Sequence, residues 1–162
     1  MRRVTKPVFV GDVKVGGDAP ISVQSMTKTD TRDVKSTLTE IKELENAGCE
    51  IIRCAVPDME AARALKEIKK GASIPVIADI HFHHELAIES LKSGVDCLRL
   101  NPGNIRDEEK VKEVVKLAKQ REVPIRIGVN FGSLPPVGAI GKTRGLNRHD
   151  DGVNLLTKGG TP

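Results

Sequence analysis

Short hydrophobic runs alternate with helical stretches along this chain, and the runs end in polar or charged residues at a nearly even pitch. Five strand candidates stand out: Ile21–Val23 into Gln24-Ser25-Met26, Ile51-Ile52 into Arg53, Val76–Ala78 into Asp79 and His81, Cys97-Leu98 into Arg99 and Asn101, and Ile125–Ile127 around Arg126 into Asn130. The pitch of roughly 20–30 residues is that of a βα unit. Between the runs, Val34, Leu38, Ile41 and Leu44 recur at helical spacing, with Asp33 near the start and Gly48 at the stop. Asp58 is placed to cap a second helix whose inner face is Ala61, Ala62, Leu65 and Ile68. Leu86, Ile88, Leu91 and Gly94 outline a third. Val111, Val114, Val115 and Ala118 give the inward face of a fourth, from about Asp107 to Arg121.

Regular βαβα alternation implies a parallel sheet with right-handed crossovers. Before it, Val8-Phe9-Val10 and Val13–Val15 flank Gly11-Asp12, which predicts an N-terminal β-hairpin and a small lid. The fold class expected is α/β: an incomplete TIM (β/α)8 barrel with about five parallel strands and four helices. A closed barrel takes roughly 250 residues, and 162 fall well short of that. Residues 1–133 read as the N-terminal part of a barrel domain. From Phe131 to Pro162 there are seven glycines, three prolines and no sustained period, so 134–162 is expected to be an irregular tail, disordered or aberrant.

Composition narrows the classes. No apolar run approaches the ~20 residues of a membrane span, and no apolar stretch follows the basic N-terminus as a secretory signal requires. Three cysteines, two inside strand candidates, argue against a disulfide framework and for a cytoplasmic location. The net charge is +4, of which the last 32 residues carry +2, so the body is only weakly basic. With no Trp or Tyr and three Phe, stacking platforms are nearly missing, and no nucleic-acid or membrane partner is expected.

Residues two apart on a strand share a face. Asp79 with His81, Arg99 with Asn101, and Arg126 with Gly128 and Asn130 are such sets. In a barrel the carboxyl ends of the strands reach the pocket mouth, so Arg53, Arg99 and Arg126 are expected to converge there. Guanidiniums present donor forks suited to phosphate, and unpaired buried charge is costly. One carboxylate, Asp79, cannot neutralise three arginines, which points to a polyanion such as a diphosphate. His81 and His83 also permit a zinc reading, as alternating histidines on a strand, and hence a metal-dependent hydrolase; no Cys or Glu cluster completes such a site. Asn101-Pro102-Gly103-Asn104 reads as a tight turn. Gly141-Lys142-Thr143 is a poor P-loop match, with Pro136 where the motif needs glycine. Cys49, Cys54 and Cys97 are not spaced as zinc or cluster ligands. An open sheet edge also permits a non-catalytic half-barrel that associates with another chain.

Taken together, Ser22-Val23-Gln24-Ser25-Met26-Thr27, Ile52-Arg53-Cys54, Pro75 to His81, Cys97 to Ile105 and Ile125 to Asn130 closely resemble the 4-hydroxy-3-methylbut-2-enyl diphosphate synthase family of the non-mevalonate isoprenoid pathway. The match covers roughly residues 3–133. The resemblance implies a TIM barrel that binds 2-C-methyl-D-erythritol 2,4-cyclodiphosphate, an iron-sulfur oxidoreductase acting on CH or CH2 groups, and flavodoxin or ferredoxin as electron donor. It implies homodimers and a separate domain holding a [4Fe-4S] cluster. By position it assigns Arg53, Arg99 and Arg126 to the diphosphate, Asn101 and Asn130 to the polar rim, and Asp79 and His81 to the end of the third barrel strand. No catalytic residue is identified. After Gly132-Ser133-Leu134 the likeness is lost. The family's cluster cysteines and glutamate and a later substrate-gripping lysine have no counterpart here. The iron-sulfur domain is thus expected to be absent, no cluster or metal is expected to be ligated by this chain, and the chain is expected to be a truncated, inactive piece of the enzyme.

Overall fold

Local signals set the helices. The structure, a computed structural model, describes residues 4–81, 83–101, 105 and 107–129. Helix α1 (Val34–Asn46) starts where the Asp33 carboxylate accepts the Ser36 amide at 3.0 Å. It stops at Gly48, whose φ of +94° is cheap only for glycine. Helix α2 (Met59–Gly71) is capped by Asp58, which accepts the Ala61 amide at 2.9 Å. Helix α3 (His84–Lys92) starts after His83 with no side-chain cap, whereas α4 (Glu108–Gln120) follows the pattern of α1 and α2 under Asp107. Each such cap contributes about 1 kcal/mol.

Between the helices run β3 (Gln24–Met26), β4 (Ile51–Val56), β5 (Val76–Ile80), β6 (Cys97–Leu100) and β7 (Ile125–Ile127). They form one parallel sheet in the order β3-β4-β5-β6-β7. The expected five strands, four helices and hairpin are all present. The sheet has two distinct faces. Ile52, Cys54, Val56, Val76, Ala78, Ile80, Leu98 and Leu100 pack against Ala61, Leu65, Ile68, Leu91 and Val114 of the helices. Burial there, at about 1.5–3 kcal/mol per large side chain, holds the helices to the sheet. The alternate residues, including Arg53, Asp79, Arg99 and Arg126, lie on the opposite face.

The hairpin, β1 (Val8–Val10) with β2 (Val13–Val15), turns at Gly11, φ +58°. Glycine first, rather than second, suits a type II′ turn, which accounts for the inverted Gly-Asp order. Val10 and Val13 pack on Ile51, Ile77 and Cys97, on the inner face. Gly11 lies against Pro75 and Asp96, at the amino-terminal ends of β5 and β6. The hairpin therefore floors the sheet at the end opposite the proposed mouth and is not a lid.

Three expectations need correction. The apolar segment Ile21–Val23 is not a strand; Ile21 and Val23 are exposed, and the paired residues are Gln24–Met26. Val23 still lies alongside β4, because its carbonyl accepts Ile51 N–H and its own N–H donates to the Glu50 carboxylate. Arg53 is third in a six-residue strand rather than at its end. Val115 is 47% exposed; with Val111, Val114 and Ala118 forming the packed stripe, a residue one step from Val114 turns to the flank.

Candidate functional site

Register shows how the arginines meet. Asp79, Arg99 and Arg126 are successive partners across β5, β6 and β7, so they lie level on one face. Arg53 pairs with Ile77, one layer lower. Its side chain climbs towards the carboxyl ends, past Ala55, whose methyl is all that β4 contributes level with Asp79. Arg53 Nε then stands 3.2 Å from Asp79 Oδ2, and Arg99 Nη1 donates to Asp79 Oδ1 at 2.9 Å. The Asp79 side chain is 2% exposed, against 26% for Arg53 and 17% for Arg99. A nearly dry carboxylate thus bridges two half-buried guanidiniums. Arg53 Nε is buried and its N–H does not align with any acceptor; Arg53 Nη2 is 3.3 Å from Met26 Sδ.

Arg126 is held differently. It donates to the Gln24 amide oxygen, 102 residues away in sequence and on the opposite edge strand of the sheet. The sheet is therefore curled enough for inner-face side chains of its first and last strands to touch, as in a barrel segment. Arg126 gains no charge compensation from this neutral partner. Like charges at neighbouring register positions repel. Among the described residues, three guanidiniums and one carboxylate leave a formal charge of +2 on this face.

The strand-end loops complete the surroundings. Half-buried His81 follows β5, and buried Asn101 follows β6. His83 is exposed at the start of α3, and β5 ends at Ile80, so His81 and His83 do not alternate on a strand and the zinc reading loses its premise. Asn130, the Pro102–Asn104 turn, Gly141-Lys142-Thr143 and the expected tail lie outside the described residues. The β3–α1 loop is pinned by Glu40, whose carboxylate accepts the Lys28 and Thr29 amides at 3.0 Å, and by Thr31, which donates to the Ala55 carbonyl at 2.7 Å. Burial pushes the Glu40 carboxyl up, but the Thr29 and Lys28 amides outweigh it and hold it below its ordinary range. Arg32 ties that loop to α2 through Asp30 and Asp58.

Residue types alone did not mark Gln24, Glu40 or Gly128. Gln24 sits in a quoted motif, but its partner lies four strands on. Glu40 reads as a solvated helix residue, and Gly128 as a strand end.

The cysteines do not suit an iron-sulfur cluster. Cys54 faces the helices and Cys97 the inner face, so they cannot converge. Burial pushes both thiols up to about 11, whereas cluster ligands are thiolates. Among the described residues no three His, Cys, Asp or Glu side chains gather as metal ligands, and no helix is long and apolar enough to cross a membrane.

Comparison with known proteins agrees with the architecture. A dihydropteroate synthase structure from Yersinia pestis superposes with a TM-score of 0.57 over 75% of this chain and 45% of that one, at 10% identity, a likeness of fold alone. Sequence likeness is much closer to 4-hydroxy-3-methylbut-2-en-1-yl diphosphate synthase (flavodoxin). The Dehalococcoides mccartyi protein is 64% identical over 134 residues, covering 83% of this chain and 38% of the relative. The Thermodesulfovibrio yellowstonii protein is 61% identical over the same length and shares. The chain thus spans about 38% of the length of these curated relatives. The family model described as the GcpE TIM-barrel domain matches residues 5–144, and the chain belongs to that family.

Proposed function

We propose that this chain supplies the substrate-gripping part of a 4-hydroxy-3-methylbut-2-en-1-yl diphosphate synthase, and that Arg53, Arg99 and Arg126 hold the diphosphate of 2-C-methyl-D-erythritol 2,4-cyclodiphosphate. The observation that carries this reading is the +2 face, on which one buried carboxylate orients two guanidiniums and, among the described residues, a third arginine bonds to a neutral amide. An arriving diphosphate replaces water at donor forks already in place, which lowers the ordering cost of binding. Asp79 positions; His81, Asn101 and Asn130 are assigned to the polar rim around the ligand.

The reductive chemistry belongs to the complete enzyme. By the family resemblance, a [4Fe-4S] cluster held outside this chain would supply the electrons delivered by flavodoxin or ferredoxin. The three cysteines here do not fit that cluster, so no step is assigned to this chain. It is expected to bind the cyclodiphosphate weakly and not to turn it over. Calorimetry tests this. Binding should be salt-sensitive and at least about tenfold weaker in Arg99→Ala, as loss of a charge-assisted hydrogen bond requires. Nanomolar affinity, or indifference to Arg99→Ala, would refute the reading.

A second reading has its own observation. β3 and β7 are unpaired on their outer edges among the described residues, and Ile127 at the end of β7 and Val129 just after it are exposed. Association of a non-catalytic half-barrel with another chain would cover them. Light scattering discriminates: a discrete dimer favours this reading, and a folded monomer counts against it.

A further inference from the structure

Gly128 follows β7 on the arginine-bearing face, and its backbone gives no reason for glycine. Positive φ values occur at Gly11, Gly16, Gly17, Gly48 and Gly94, but not at Gly128. The reason lies in space. A Cβ at Gly128 would fall 2.1 Å from Arg99 Nε, 2.6 Å from Cζ and 2.6 Å from Nη2. These three nearest atoms all belong to one guanidinium. We propose that Gly128 is a positioning residue for Arg99: its lack of a side chain lets the guanidinium lie against the chain after β7, with Nη1 on Asp79 and Nη2 near the Gly128 carbonyl.

The surrounding bonds make the effect directional. Gly128 N–H donates to the Leu100 carbonyl at 2.8 Å, which ties the backbone to β6. Arg99 Nη2 lies 3.4 Å from the Gly128 carbonyl, a weak contact, while Nη1 holds Asp79 at 2.9 Å. When a methyl is added, the flexible arginine moves more cheaply than the hydrogen-bonded strand. It then leaves Asp79, and the face loses one of its two oriented donor forks. The proposal rests on the diphosphate reading for its functional consequence, but its geometric claim stands apart.

Arginine Nε–H resonances of the isotope-labelled full chain test that claim without ligand. Gly128→Ala should move the Arg99 Nε–H signal, identified by its disappearance in Arg99→Lys, and leave backbone amides of β3 to β5 in place. Titration with inorganic pyrophosphate then reads the consequence. Gly128→Ala should weaken binding by about tenfold or more in the native background, and by nothing further in the Arg99→Ala background. An unmoved Arg99 signal, or losses that add in both backgrounds, would overturn the proposal. If native chain fails to bind pyrophosphate, the diphosphate reading falls and the resonance still decides the role of Gly128. If Gly128→Ala alone does not fold, the double variant with Arg99→Ala, in which the collision is gone, should fold; its failure also overturns the proposal.

Discussion

Asp79→Asn removes the negative charge that two half-buried guanidiniums share and keeps the side-chain volume. Breaking a fully buried ion pair costs about 3–5 kcal/mol, because the remaining charge stays uncompensated. Arg53 and Arg99 keep 26% and 17% of their side-chain surface, so water recovers part of that cost. The asparagine carbonyl still accepts one hydrogen bond, which recovers a little more. A loss of about 2–4 kcal/mol is expected, against a total stability of about 5–15 kcal/mol for a domain. With a urea slope of about 1–3 kcal/mol per molar, the unfolding midpoint should drop by roughly 1–2 M. Far-ultraviolet circular dichroism is the probe, since the chain has no Trp or Tyr. The buffer must lack phosphate and sulfate. The variant's formal charge on this face is +3 instead of +2, so inorganic pyrophosphate should raise its midpoint and narrow the gap to the native chain. An Asp79→Asn midpoint equal to the native one without anion would refute the idea that this carboxylate compensates the arginines.

Two further outcomes follow from particular residues. Cys54 and Cys97 have thiols raised to about 11 by burial. The unfolded chain therefore loses these protons first, and stability should be untouched below about pH 8 and fall from about pH 9 to about pH 11. Urea midpoints at about pH 8 and about pH 10 should separate more for the native chain than for a Cys54→Ala, Cys97→Ala double variant; equal separation would sink this. Glu122 follows α4 at φ +56°, a conformation that costs a side-chain-bearing residue about 1–2 kcal/mol. Glu122→Gly should therefore raise the urea midpoint by a net equivalent of about 0.5 kcal/mol after the added freedom of the unfolded chain, and a lowered midpoint would contradict it.

Elements with a period and a cap are legible in the sequence itself. Asp33, Asp58 and Asp107 stand at the helix starts, and the sheet order is the sequence order. The face shared by Asp79, Arg99 and Arg126 also followed from parity along the strands. Depth along a strand did not. Arg53 belongs one layer down, because β4 continues to Val56 through residues that hydropathy alone ends at Arg53. Nor could parity show that Asp79 serves two arginines while Arg126 turns to Gln24, since those choices depend on curl and reach. The hairpin was evident, but which end of the sheet it covers is a matter of Val10 and Val13 meeting Ile51, Ile77 and Cys97.

The strand order β3-β4-β5-β6-β7 has a consequence for biosynthesis. From β4 onward, each strand finds a hydrogen-bonding neighbour in the strand made just before it. The growing polypeptide can therefore add one unit at a time as it leaves the ribosome, with short loops to close at each step. The bond between Arg126 and Gln24 is different, for it cannot form until the fifth unit has emerged.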